Sequence, residues 1–160
     1  MKKILILLLL LVPLNVYTAE KFYFKNAKLD NYSNYSAQLI NFSRTYKVDI
    51  SILELWIFLE SSGNERAYNR YSKDKGLVQL HDVEYLVSKY WDKSEDFNVW
   101  NGEHNLYIGL KYLGDLIEEF GTYFGFMAYN IGPTRVRAGR ILKVGINYSN
   151  RLFEDSLDKG

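Results

Sequence analysis

Ile52-Leu53-Glu54-Leu55-Trp56-Ile57-Phe58-Leu59-Glu60-Ser61-Ser62-Gly63-Asn64 is the stretch on which the reading of this chain turns. Its first eight residues are apolar apart from Glu54, which predicts a buried helix. Glu60 closes the run, and Ser61-Ser62-Gly63-Asn64 opens a polar turn. A carboxylate carried by the end of a buried helix into a polar cleft is poorly hydrated and fixed in space. Burial disfavours its charged form and raises its pKa. Such a group can protonate a leaving oxygen near neutral pH. Taken alone, Glu60 reads more readily as a solvated residue at a helix terminus, since long charged side chains are mostly exposed.

Two downstream segments change that balance. Residues 76–80 read Gly-Leu-Val-Gln-Leu, and residues 128–133 read Ala-Tyr-Asn-Ile-Gly-Pro. With Glu60-Ser61-Ser62-Gly63-Asn64, in this order and at these separations, they resemble the lysozyme-like lytic transglycosylases of the soluble type. Asn105-Leu106-Tyr107-Ile108-Gly109-Leu110-Lys111-Tyr112-Leu113 is similar to the Asn-x-x-x-Gly-x-x-Tyr-Leu helix of that family. The resemblance covers roughly residues 46–152. It departs from the family at Val78, where Met is usual, and at Ile131, where Ala is usual. A Ser common near Asn69 and a Pro common after Leu80 are missing, and the stretch from Asn64 to Gly76 is one residue longer than the commonest spacing. These changes bear on the sugar sites more than on the chemistry.

The resemblance implies an all-α, lysozyme-like domain with a small irregular or hairpin insert beside the cleft. It also implies cleavage of the glycan of peptidoglycan after its N-acetylmuramic residue. Most glycosidases use two carboxylates for such a bond; this family uses one. Glu60 would protonate the leaving oxygen, the substrate's acetamido oxygen would stabilise the sugar cation, and Glu60 would then take the proton of the 6-hydroxyl, giving a 1,6-anhydro end without water. Tyr129 and Asn130 fall on the family's Tyr-Asn pair. There a Tyr129 hydroxyl beside Glu60 would hold the carboxyl, and Asn130 would orient the loop or contact sugar. Gln79 falls on the cleft-lining Gln. Gly76 would let the backbone turn closely against the ligand, with Val78 beside it, and Ser61 would support Glu60 from behind. Read without the motifs, Tyr129 is a core aromatic and Gly76 to Leu80 a turn followed by a strand. Asp74 lies roughly where a hydrolytic lysozyme carries a second carboxylate, but its neighbours Lys73 and Lys75 suggest an ordinary surface charge.

A length of 160 residues fits one domain, and 48% hydrophobic content supplies an ordinary core. A net charge of +1 gives no reason to expect nucleic acid as a partner, and zero cysteines exclude disulfides and thiolate metal sites. His81 and His104 are too few for a His-rich zinc site, so neither a metal nor a cofactor is expected. Met1-Lys2-Lys3 followed by the apolar run Ile4 to Val12 has the form of a secretory signal, residues 1–19, with an uncleaved membrane anchor as the alternative. Residues 20–32 then form a lead-in, and residues 33–160 the transglycosylase-like domain. The expected location is outside the cytoplasm, in the periplasm or cell envelope. The expected partners are peptidoglycan strands and, at most, envelope machinery.

Periodicity predicts a helix carrying Tyr35, Leu39, Phe42 and Tyr46, then the Glu60 helix capped by Asp49 or Ser51. After the loop of residues 64–81, Asp82 should cap a helix with Leu86 and Tyr90, and Asn101 the longest helix, ended by Gly121. Thr122 to Asn130, residues 134–144 and Tyr148 to Phe153 are read as three further helices. Arg135, Arg137, Arg140 and Lys143 would make the second of these basic. The competing functions are a true lysozyme on the same fold and a catalytically silent wall-binding module.

Overall fold

The computed structural model describes residues 32–157. The expected signal segment and all of the lead-in but Tyr32 lie outside the described residues. Tyr32 already begins helix α1, Tyr32–Tyr46, whose inward side carries Tyr35, Leu39 and Phe42. Helix α2, Ile50–Ser61, follows directly. The Asp49 side chain accepts the Ser51 amide at 2.8 Å, and the helix stops at Ser62, whose left-handed φ of 55° returns its amide to the Phe58 carbonyl. Residues Ile52 to Ile57 of α2 are buried without a break. The uninterrupted apolar run therefore makes a central helix surrounded by others, as expected of one apolar on all sides.

Residues 62–82 form a loop whose regular pairing is limited to isolated bridges of Lys75 with Tyr68 and with Leu80. Helix α3, Val83–Tyr90, leads to the longest helix, α4, Gly102–Phe120. The Asn101 side chain caps α4 by accepting the His104 amide at 3.1 Å. Helices α5, Thr122–Ile131, α6, Pro133–Arg137, and α7, Lys143–Leu157, complete the described chain. The α4–α5 pair is the most extensive packing; α5 also lies on α7, and α2 touches both α1 and α7. The all-α expectation with an irregular insert therefore describes the molecule. Among the described residues no helix is long and apolar enough to cross a membrane.

Three local expectations are corrected. Asp82 stands before α3 with a left-handed φ of 46° and makes no side-chain cap bond. The helix expected over residues 134–144 ends at Arg137. Gly139 takes a φ of 65° there, and the Arg140 amide bonds back to the Arg135 carbonyl, closing a turn. The last helix begins at Lys143 and is longer than the expected Tyr148 to Phe153. The four basic residues accordingly share no single helix. Arg137 forms a two-point pair with Glu119 at 2.5 and 2.7 Å, whereas Arg135 donates to the Ile131 carbonyl at 2.6 Å.

Candidate active site

Glu60 occupies the last turn of α2, just before the left-handed residues Ser62 and Gly63 turn the chain away. Its carboxyl faces a cavity of about 450 Å³ whose walls include Asp74, Gln79, Tyr112, Tyr129 and Asn130. The Tyr148 hydroxyl of α7 donates to Glu60 Oε1. Burial pushes the Glu60 carboxyl up from 4.5 to about 7; the Tyr148 hydrogen bond pulls against this, and the charge of Asp74 adds to it. Loss of hydration therefore outweighs the bond to the hydroxyl, and Glu60 is a carboxyl that can carry a proton near neutrality. This is the chemical state expected from the buried helix end.

The tyrosine that holds it is not the one expected. The Tyr129 hydroxyl donates to the Val78 carbonyl at 2.8 Å, and its ring stands edge-on to Trp56, centroids 5.2 Å apart. Tyr129 lines the cavity and senses the charge of Glu60, but its phenol is spent on fixing the Gly76–Leu80 loop. Tyr148 instead makes the bond to Glu60 that Tyr129 was expected to make. Sequence reading misses Tyr148 by placing it at the start of a short helix. A signal is nevertheless present: Gly145, Tyr148, Ser149 and Leu152 recur at helical spacing, and all are buried except Tyr148, which is partly so.

The loop of Gly76 to Leu80 is held from α4. Asn105 is fully buried; its Oδ1 accepts the Val78 amide at 2.9 Å, and its Nδ2 donates to the carbonyls of Lys75 and Val99 at 3.0 Å each. Gly109, one turn further along α4, leaves room for Val78: a Cβ there would lie 2.4 Å from Val78 Cγ2. The Asn-x-x-x-Gly spacing thus puts a clamp and a gap on one face of α4. Gly76 is corrected by the same geometry. With φ of 83°, it is pressed against Asn105, whose Nδ2 would be 2.0 Å from an added Cβ, so its smallness serves packing and not approach to a ligand. Val78 is likewise core, with no exposed surface.

Gln79 does reach the cavity. It holds a left-handed φ of 52°, and its Nε2 donates to the carbonyls of Ala67 and Gly76 at 3.2 and 2.9 Å. The amide oxygen is the part left to meet a ligand. A non-Gly residue in this conformation costs of order 1 kcal/mol and is often found at binding sites. Asn130 is exposed on the cavity wall. Ser61 is not in the wall; its hydroxyl turns back to the Ile57 carbonyl at 3.5 Å. Asp74, expected as a surface charge, is instead part of the wall and bonds His81 Nδ1 at 2.7 Å.

The family model described as Transglycosylase SLT domain matches residues 39–142. Among solved structures, the 70 kDa soluble lytic transglycosylase of Escherichia coli is similar, with 25% identity and a TM-score of 0.55. The similarity covers 72% of this chain and 20% of that one, so it concerns about a fifth of the larger protein. A search of curated proteins finds no match.

Proposed function

Because the chain belongs to the SLT transglycosylase domain family, we propose that it is a peptidoglycan lytic transglycosylase in which Glu60 is acid first and base second. The observation that carries this reading is the Glu60 carboxyl at the end of α2, pushed up to about 7 by loss of hydration and facing a cavity with Gln79 and Asn130 in its wall. In its protonated form, Glu60 gives its proton to the oxygen leaving C1 of N-acetylmuramic acid. The substrate's acetamido oxygen shields the resulting cation. The Glu60 carboxylate, steadied by the Tyr148 hydroxyl, then removes the proton of the 6-hydroxyl as O6 closes on C1 and leaves a 1,6-anhydro end. Gln79 and Asn130 offer amide groups to the sugar, while Tyr129 keeps the Gln79 loop in register through Val78. The protein would work on wall strands in the periplasm or cell envelope.

Mass spectrometry of purified peptidoglycan digested in isotopically labelled water tests this. Anhydro-muramic ends free of solvent oxygen are expected. Glu60→Gln, which keeps the shape and loses the transferable proton, should lower their formation at least ~100-fold, the low end for a positioned acid–base group. Reducing ends carrying solvent oxygen would favour the lysozyme reading. No product from the wild type would favour a silent wall-binding module, and product from Glu60→Gln at the wild-type rate would remove Glu60 from the role.

A further inference from the structure

We propose that Asp74 is a second catalytic carboxylate, facing the same cavity as Glu60, whose negative charge stabilises the sugar cation formed as the leaving oxygen departs. The inference rests on the reading of Glu60 as acid and base and adds a partner to it.

Asp74 belongs to the loop of residues 62–82, between Lys73 and Lys75, where a solvated charge would be expected. Its side chain is instead only 22% exposed and forms part of the cavity wall. The two carboxylate oxygens are held separately. Oδ2 accepts from the Ser72 hydroxyl at 2.5 Å, and Oδ1 bonds His81 Nδ1 at 2.7 Å. The backbone beneath is fixed as well. The Asn69 amide donates to the Asp74 carbonyl at 3.0 Å, and Asn69 Oδ1 accepts the amides of Tyr71 and Ser72. Neither lysine pairs with the carboxylate among the described residues. Lys73, in a left-handed conformation, sends its ammonium over the ring of Tyr68, 6.0 Å from the centroid. The loop thus carries Asp74 inward and Lys73 away from it.

Two carboxyl groups that share a cavity divide their roles by environment. Burial makes Glu60 the proton carrier; Asp74 is fixed in the wall by a hydroxyl on one oxygen and an imidazole on the other. Its charge already reaches Glu60, where it helps keep the proton on, and Tyr129, whose phenol it also pushes up. During cleavage the Glu60 proton moves to the glycosidic oxygen, and the electron pair of the C1–O bond leaves with that oxygen. Positive charge then spreads over C1, the ring oxygen and the closing acetamido group. A preorganised anion in a cleft from which substrate has displaced water lowers the energy of that state more than that of the neutral substrate. Asp74 forms no bond to carbon and transfers no proton. When O6 closes on C1 and Glu60 takes its proton, Asp74 ends as it began.

The test separates charge from anchoring. Asp74→Asn keeps a side chain able to bond Ser72 and His81 but removes the charge. The double variant Ser72→Ala, His81→Ala keeps the charge and removes the anchors. On purified peptidoglycan, Asp74→Asn should lower kcat on the order of 100-fold, the scale lost with one preorganised charge-stabilising group, with KM changed by no more than a few fold. The double variant should lose roughly tenfold or less, as expected when a charge is kept but loosely held. An Asp74→Asn enzyme within a few fold of wild type, or a double variant more damaged than Asp74→Asn, would overturn the proposal. Because Glu60→Gln is assayed alongside, an inactive Glu60→Gln with an active Asp74→Asn refutes this inference alone, whereas an active Glu60→Gln refutes the reading beneath it.

Discussion

Glu60→Gln should make the protein more stable, and more so at alkaline pH. The Glu60 carboxyl is raised from 4.5 to about 7 in the folded chain, mainly by burial. Folded protein therefore binds the Glu60 proton more tightly than unfolded chain does. Below about 4.5 both states hold it and Glu60 costs no linkage energy. Between 4.5 and about 7 the unfolded chain releases the proton while the folded one keeps it, and stability falls with each pH step. Above about 7 both are ionised and the loss is complete. At about 1.4 kcal/mol per pH unit the total is on the order of 3 kcal/mol. The amide introduced by the substitution carries no such charge and can still accept from Tyr148. Urea unfolding of both proteins at pH 4.5 and pH 8 reads the difference directly. The advantage of the variant should be on the order of 3 kcal/mol larger at the higher pH than at the lower. An advantage independent of pH, or a wild type that gains on the variant as pH rises, would refute the claim that Glu60 is held as a buried acid.

Three further expectations follow from the contacts described above. The alkaline limb of the rate profile should fall near pH 7, as Glu60 loses the proton it is proposed to donate; Tyr148→Phe should move that limb upward, because its hydroxyl is the group holding the Glu60 pKa down, and should slow turnover roughly tenfold, the worth of one hydrogen bond to a charged group. Asn105→Ala should cost about 3 kcal/mol or more in thermal or urea unfolding, since it strips partners from the Val78 amide and the carbonyls of Lys75 and Val99; retention of full stability would show that water replaces the clamp.

The helices and the position of Glu60 are legible because they are written locally. An apolar run followed by Ser-Ser-Gly-Asn marks a buried helix and its end, and Asn101 and Gly121 punctuate α4 as capping residues do. The roles of single side chains are less legible, since they depend on partners far along the chain. Tyr129 and Tyr148 are both tyrosines on helices of the second half, and only three-dimensional packing decides that the first bonds Val78 and the second Glu60. Gly76 reads as room for a ligand, whereas the object that needs the room is Asn105. Asp74 takes its apparent character from its neighbours Lys73 and Lys75, but the left-handed backbone of Lys73 separates the directions of adjacent side chains. The end of the short α6 is hard to read because nothing in Arg-Ala-Gly-Arg announces a tight turn as strongly as Gly132-Pro133 does.

The bond between Tyr148 and Glu60 joins residues 88 positions apart. In the order of synthesis, the acid leaves the ribosome long before the hydroxyl that steadies it. A growing chain that has folded α2 against α1 already presents the carboxyl, yet it lacks one wall of that carboxyl's surroundings until α7 docks. The environment proposed for the acid is therefore completed only when the C-terminal helix is in place. A nascent or clipped chain ending before α7 would hold the full set of motifs and lack the hydroxyl that bonds Glu60.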